Sequence, residues 1–130
     1  MTAFSFSDDN KRYHTLYYYN KHAFGCRVYK AAIDAGLSCP NRDGRCGTGG
    51  CTFCSGGSGY FTSGALSVRE QYLAEERRIR AKCPNALIQA YFQAGSNTYA
   101  DVETLARIYG EAIACGAASI SVATRADCLD

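Results

Sequence analysis

Hydrophobic positions along the chain fall into short blocks separated by turn residues. Val28, Tyr29, Ala31 and Ile33 lie in a run from Cys26 to Ile33 that reads as a buried strand, closed by a turn at Gly36. Ala86 to Gln93 has the length and aromatic content of a second strand, ended by Gly95, Ser96 and Asn97, and Ala118 to Thr124 reads as a third. Between the first two strands Ser67 opens a helix. Glu70 stands three residues later, the spacing of a capping box; Val68, Tyr72 and Ile79 recur on one side, and the helix ends near Pro84. Between the last two strands Val102, Leu105, Ala106, Tyr109 and Ile113 recur at helical spacing, which predicts a helix over 99–115 with Gly116 as its stop. Tyr13 to Asn20 is aromatic-rich without a clean period. It reads as part of an N-terminal extension over 1–25 that packs onto something larger.

The order strand, loop, helix, strand, helix, strand implies an α/β fold with a parallel sheet and right-handed crossovers. Parallel strands need cover on both faces and neighbours on both edges. The chain reaches Asp130 soon after the third strand. The expectation is therefore the opening part of a longer barrel, as a fragment or a truncated reading frame.

Composition narrows the class of function. Apolar residues are 47% and charged residues 20% of the chain, an ordinary globular balance that argues against disorder. The apolar runs are too short to span a bilayer, so no membrane partner is expected. Met1 to Asn10 lacks the basic-then-apolar order of a secretory signal, which predicts a cytoplasmic protein. A formal charge of +2 gives no long-range pull on nucleic acid; Lys11, Arg12 and Lys21 read as a solvated face. Eight cysteines change the picture. A reducing compartment keeps thiols out of disulfides, so metal ligation is the leading explanation for them.

The cysteines concentrate in one loop, 39–60, with glycines at 44, 47, 49, 50, 56, 57 and 59. Cys51 and Cys54 form a C-x-x-C pair and Cys39 lies twelve positions upstream of the first. Thiolate is the soft ligand that iron-sulfur clusters and zinc both favour, and glycines let a backbone wrap several sulfurs around one inorganic core. Zinc would take Cys39, Cys46, Cys51 and Cys54 in a closed tetrahedral site. A zinc ribbon normally brings two C-x-x-C knuckles, and this loop has one. The loop also follows a strand at the carboxyl end, where parallel α/β folds place active sites. Cys26, Cys83, Cys115 and Cys128 stand apart at element ends and read as packed thiols, and His14 and His22 as packing or surface residues.

The stretch from Arg12 to Cys54, with R-Y-H-T, D-A-G-L-S-C-P-N-R-D-G and G-G-C-T-F-C, resembles a family of bacterial radical S-adenosylmethionine (SAM) proteins related to the radical-SAM domain of the elongator catalytic subunit. Y-F-Q-A-G-S-N-T-Y resembles the second-strand region of that group, and T-R-A-D-C, Thr124 to Cys128, its T-R-P-D-C element. The resemblance implies that residues 1–130 are the N-terminal part of a partial parallel (β/α) barrel of the radical SAM type, truncated after the third strand, with 39–60 as the cluster-binding loop. It further implies a 4Fe-4S cluster held by Cys39, Cys51 and Cys54, with the fourth iron left to the amino and carboxylate groups of SAM. Such a domain takes an electron from a reducing donor, generates a 5'-deoxyadenosyl radical and abstracts hydrogen from a substrate. The substrate is unassigned; RNA enters only by analogy with the elongator type.

By the same resemblance Phe53 lies beside the adenine or packs the loop. Gln93, Gly95 and Ser96 fall where related proteins bind the SAM amino group, although the usual acidic residue is absent. Thr124 and Arg125 point toward the same mouth, Arg125 pairing with a carboxylate or forming an ion pair with Asp127. Ala126 replaces the motif's proline, which loosens a turn. Cys46 is an extra thiol; ligation of the fourth iron by it would exclude SAM and make the domain an electron carrier or an inert site, and it is read as spare because the matched spacing already supplies the three expected ligands. The competing expectation is a zinc-stabilised four-cysteine binding module without catalytic activity.

Overall fold

A computed structural model describes residues 10–40, 43–50, 52 and 66–129. Three parallel strands, β1 (Val28–Ile33), β2 (Leu87–Phe92) and β3 (Ser119–Val122), form one open sheet in the order β1-β2-β3. Helices α1 (Leu16–Phe24), α2 (Val68–Lys82) and α3 (Val102–Ala114) flank it, and a 3-10 turn, Ala126–Cys128, follows β3. The α/β class expected from the pattern is the one observed. Ile33 pairs with Phe92 and Phe92 with Val122, so the carboxyl ends of all three strands are level.

Alternation along the strands separates two unlike faces. Ala31, Ile33, Ile88, Ala90 and Phe92 are buried against Val68, Tyr72 and Ile79 of α2 and Ile108 and Ala112 of α3, with Ile120 and Val122 continuing that face at the edge. The opposite face is mixed, with Val28, Ala32 and Leu87 beside polar side chains. The Lys30 ammonium lies 4.9 Å from the Tyr91 ring centroid, and Gln89 Nε2 donates to Ser119 Oγ at 3.0 Å. Parallel sheets are usually apolar on both faces; here only the helix-covered face carries the core.

The capping box at the start of α2 is complete. Glu70 N–H donates to Ser67 Oγ at 3.1 Å and Ser67 N–H donates to Glu70 Oε2 at 2.9 Å. Gln71, buried at the sheet end of the helix, accepts from Asp34 N–H and donates to the carbonyls of Asp34 and Leu66 (2.8, 2.8 and 2.9 Å). It clamps the helix start onto the exit of β1.

Three expectations need correction. The aromatic segment contains a helix, α1, despite its lack of period. Thr15 caps it by accepting Tyr18 N–H, and Gly25, at φ 73°, closes it with its N–H on Lys21 O. Asn20 is its buried residue, while Tyr17 and Tyr19 face outward, so caps rather than an apolar stripe define it. Helix α3 begins at Val102, because residues 96–100 turn and Asp101 supplies the N-cap, accepting Thr104 N–H at 2.8 Å. Its buried face is also rotated from the expected one. Ile108 and Ala112 are interior, whereas Val102 and Ile113 are 75% and 59% exposed. The ring of Tyr109, set edge-on to Phe92 at 5.2 Å, fixes that rotation. Among the described residues no helix is long and apolar enough to cross a membrane.

Loss of the cap in Ser67→Ala should lower unfolding stability by about 1 kcal/mol, read as a shifted denaturant midpoint. A pH dependence follows from the other cap. The backbone N–H of Thr104, aided by its hydroxyl, holds the Asp101 carboxyl below its usual range. A carboxyl depressed on folding stabilises the native state above its unfolded pKa of about 3.9 and loses that contribution as pH falls through the folded value. Asp101→Asn keeps a capping oxygen and should flatten this part of the acid limb, measured by thermal unfolding between pH 5 and 2 as an approximate range.

Candidate metal centre

The loop leaving β1 is pressed onto the turn leaving β2. Gly36, at φ 74°, donates its N–H to Asp34 Oδ1 at 2.8 Å and redirects the chain across the strand ends. Gly95 sits at φ 66°, and a Cβ there would lie 2.7 Å from Leu37 O and 2.9 Å from Ser38 O. Only glycine permits that approach. Ser96 N–H then donates to Ser38 O at 3.0 Å, which brings the next residue, Cys39, to the carboxyl ends of β1 and β2.

Asn97, wholly buried, joins β2 to β3. Its backbone N–H donates to Ala123 O at 3.0 Å, and its side-chain Nδ2 faces the carbonyls of Phe92, Ala94 and Ala123 at 3.3, 3.2 and 3.0 Å. The Tyr109 hydroxyl donates to the Asn97 carbonyl, and burial raises the Tyr109 pKa, keeping that proton in place. Asn97 Oδ1 is buried and meets no donor among the described residues. Such an acceptor at the strand ends fits a bound group that carries N–H or O–H donors.

Two side chains from distant parts of the chain converge on the Cys39 sulfur. Ser96 Oγ, 1% exposed, donates to Sγ at 3.6 Å and Arg125 Nη1 donates to it at 3.9 Å. Nε and Nη2 of Arg125 grip the Asp127 carboxylate at 2.9 and 2.7 Å. Asp127 first, and Cys39 second, hold the Arg125 guanidinium above its usual pKa, and Arg125 in turn holds the Asp127 carboxyl below its own. Of the two expectations for Arg125, the ion pair with Asp127 forms, and the guanidinium reaches the thiol as well.

Beyond Cys39 the loop doubles back. Asp43 N–H donates to Cys39 O at 3.1 Å, and the N–H groups of Cys46 and Gly47 donate to the carbonyl of the buried Pro40 at 2.8 and 3.2 Å. Cys46 is exposed. The Arg45 guanidinium lies 5.6 Å from the Tyr99 ring centroid, and Asp43, lowered in pKa by Arg45 N–H and then by the Tyr99 hydroxyl, completes a contact between the loop and the β2–α3 turn. A cavity of about 340 Å³ opens there, lined by Arg45, Thr98, Tyr99, Ala100, Asp127 and Cys128.

The expected site residues Cys39, Gln93, Gly95, Ser96, Thr124 and Arg125 thus gather at one end of the sheet. Gln93 N–H donates to Ile33 O at 3.0 Å, and the Thr124 hydroxyl is hydrogen-bonded to that of Thr98. Cys51, Phe53 and Cys54 lie outside the described residues. Among the described residues no three His, Cys, Asp or Glu side chains are grouped to hold a metal. Cys26, Cys83, Cys115 and Cys128 are half-buried at element ends, away from full burial. The structure adds Asn97, Asp127 and Tyr109, for which the sequence offered only a turn residue, a neighbouring carboxylate and a helix-face aromatic.

The chain is 43% identical over 129 residues, 97% of its length, to "Uncharacterized protein YtqA" of Bacillus subtilis (strain 168), covering 40% of that protein. It is 38% identical over 109 residues to "Protein YhcC" of Escherichia coli (strain K12), a match that takes in 82% of this chain and 34% of the relative. With "Uncharacterized protein MJ0486" of Methanocaldococcus jannaschii it shares 30% identity over 117 residues, 86% of the chain and 35% of the relative. The chain therefore spans about two fifths or less of the curated relatives it matches. No family model and no solved structure matches it.

Gly95→Ala should destabilise the fold by about 2 kcal/mol or more, since it adds both left-handed strain and a clash with two carbonyls. Gly110→Ala, in α3 with open space around the added carbon, should instead stabilise by about 0.5–1 kcal/mol. Chemical denaturation of the two variants side by side checks both signs.

Proposed function

We propose that the chain is the N-terminal part of a radical SAM enzyme domain, a partial parallel (β/α) barrel whose 39–60 loop holds a 4Fe-4S cluster through Cys39, Cys51 and Cys54. The observation that carries the reading is the position of Cys39: the first thiol of the cysteine loop stands at the level carboxyl ends of three parallel strands, with two hydrogen-bond donors on its sulfur. Parallel α/β folds bind ligands at that end, and a sulfur surrounded by donors suits a thiolate ligand.

The chemistry such a cofactor pair supplies when bound is one-electron cleavage of SAM to a carbon radical that abstracts hydrogen. This chain's own residues hold and position. Gly95 lets the β2 turn approach closely, Gln93, Ser96, Thr124 and Arg125 border the mouth, and Asn97 Oδ1 offers an acceptor to an amino group. Phe53, next to the last ligand, is assigned to the adenine. The cavity beside Asp127 gives a polar substrate room two contacts from the Cys39 sulfur, through Asp127 and Arg125. An external reductant is the partner this chemistry requires.

Anaerobic reconstitution of the chain with iron and sulfide tests the reading. A brown protein with three-thiolate dependence, lost in Cys39→Ala, Cys51→Ala or Cys54→Ala and retained in Cys46→Ala, is expected, together with SAM cleavage on reduction. Colourless protein carrying one zinc that is lost in Cys46→Ala would replace the reading with a four-thiolate structural site.

A further inference from the structure

The Cys39 sulfur receives donors from residues 57 and 86 positions away in sequence. Ser96 reaches it from the turn after β2 and is 1% exposed, so its hydroxyl does not exchange the sulfur for water at little cost. Arg125 reaches it from the end of β3. Its side chain is not left to wander: Nε and Nη2 are both committed to Asp127, which the 3-10 turn brings close, Cys128 N–H donating to Arg125 O at 3.0 Å. With Nε and one hydrogen of Nη2 held in a bidentate fork, the planar guanidinium is fixed in orientation, and Nη1 is the atom that lies 3.9 Å from the sulfur.

We infer that Ser96 and Arg125 are outer-shell donors that raise the reduction potential of the metal centre held by the Cys39 sulfur, with Asp127 as the residue that positions Arg125. The inference rests on the cluster reading above. Hydrogen bonds to a ligating sulfur withdraw electron density from the metal–sulfur bond, and a nearby cation offsets the negative charge gained on reduction; both favour the reduced state. Ser96 supplies the first effect alone. Arg125 supplies both, tempered by the Asp127 carboxylate.

The test is a potentiometric titration of the anaerobically reconstituted chain, followed by the spectrum of the reduced cluster, with iron and sulfide content measured first. At a fixed applied potential, Arg125→Gln should lower the ratio of reduced to oxidised cluster about tenfold, equivalent to about 59 mV for a one-electron couple. Ser96→Ala should lower it by a smaller factor in the same direction, and Arg125→Lys, which restores the charge, should recover part of the loss. Fully loaded variants with the wild-type potential, or with potentials shifted upward, overturn the inference and leave the cluster reading intact. Wild-type chain that takes up no iron and sulfide overturns both. Variants that lose the cluster while Arg125→Lys also fails to hold it would make these side chains structural and likewise overturn the inference.

Discussion

The contact on which the site depends is the one between the backbone of Gly95 and the carbonyls of Leu37 and Ser38. No side chain fits between these two segments, and Ser96 N–H closes the contact on Ser38 O. The exit of β1 is thereby fastened over the exit of β2, and Cys39, one residue beyond the fastening, has its place set by backbone rather than by its own packing. Gln71 strengthens the same region from the helix side, occupying both backbone groups of Asp34. A loop rich in glycine is thus anchored at its root by an unusually close approach.

A thiol, a cation and a carboxylate follow one another at the strand ends. The guanidinium of Arg125 stands between the thiol of Cys39 and the carboxylate of Asp127, touching both. A second polar contact borders the same cavity, where Asp43 accepts the Arg45 N–H at 3.1 Å and the Arg45 guanidinium lies over the Tyr99 ring. These groups are exposed enough that their energetic worth to the fold is small. Their effect is geometric, since each orients a donor or an aromatic face toward the strand ends. The two faces of the sheet divide the work similarly: the helix side carries cohesion through Tyr72, Ile88 and Phe92, and the far side, with Lys30, Gln89, Tyr91 and Ser119, carries polar groups.

The relatives in Bacillus, Escherichia and Methanocaldococcus share this stretch of chain within longer proteins. The match extends over nearly the whole chain in the first case, so its span takes in the segments that form the strand ends and the loop root. Their names carry no activity, and the reading as a radical SAM domain stands on the cysteine loop and on where the fold brings its first thiol.

Local chemistry written in neighbouring residues was legible from the chain alone: the three strands, the Ser67–Glu70 capping box, the cysteine spacing and the α/β order all arise from contacts within a few residues or from a short period. What the chain did not disclose arises from long-range contact. Helix α1 depends on two caps and has no apolar stripe to reveal it; the face of α3 turns on Tyr109 meeting Phe92; and Ser96 and Arg125 meet Cys39 only because parallel strands bring their carboxyl ends level. Sequence therefore determined which residue types could hold a soft metal. Only the tertiary structure decided which donors surround the first of them, because hydrogen bonds between residues 57 and 86 positions apart have no local signature.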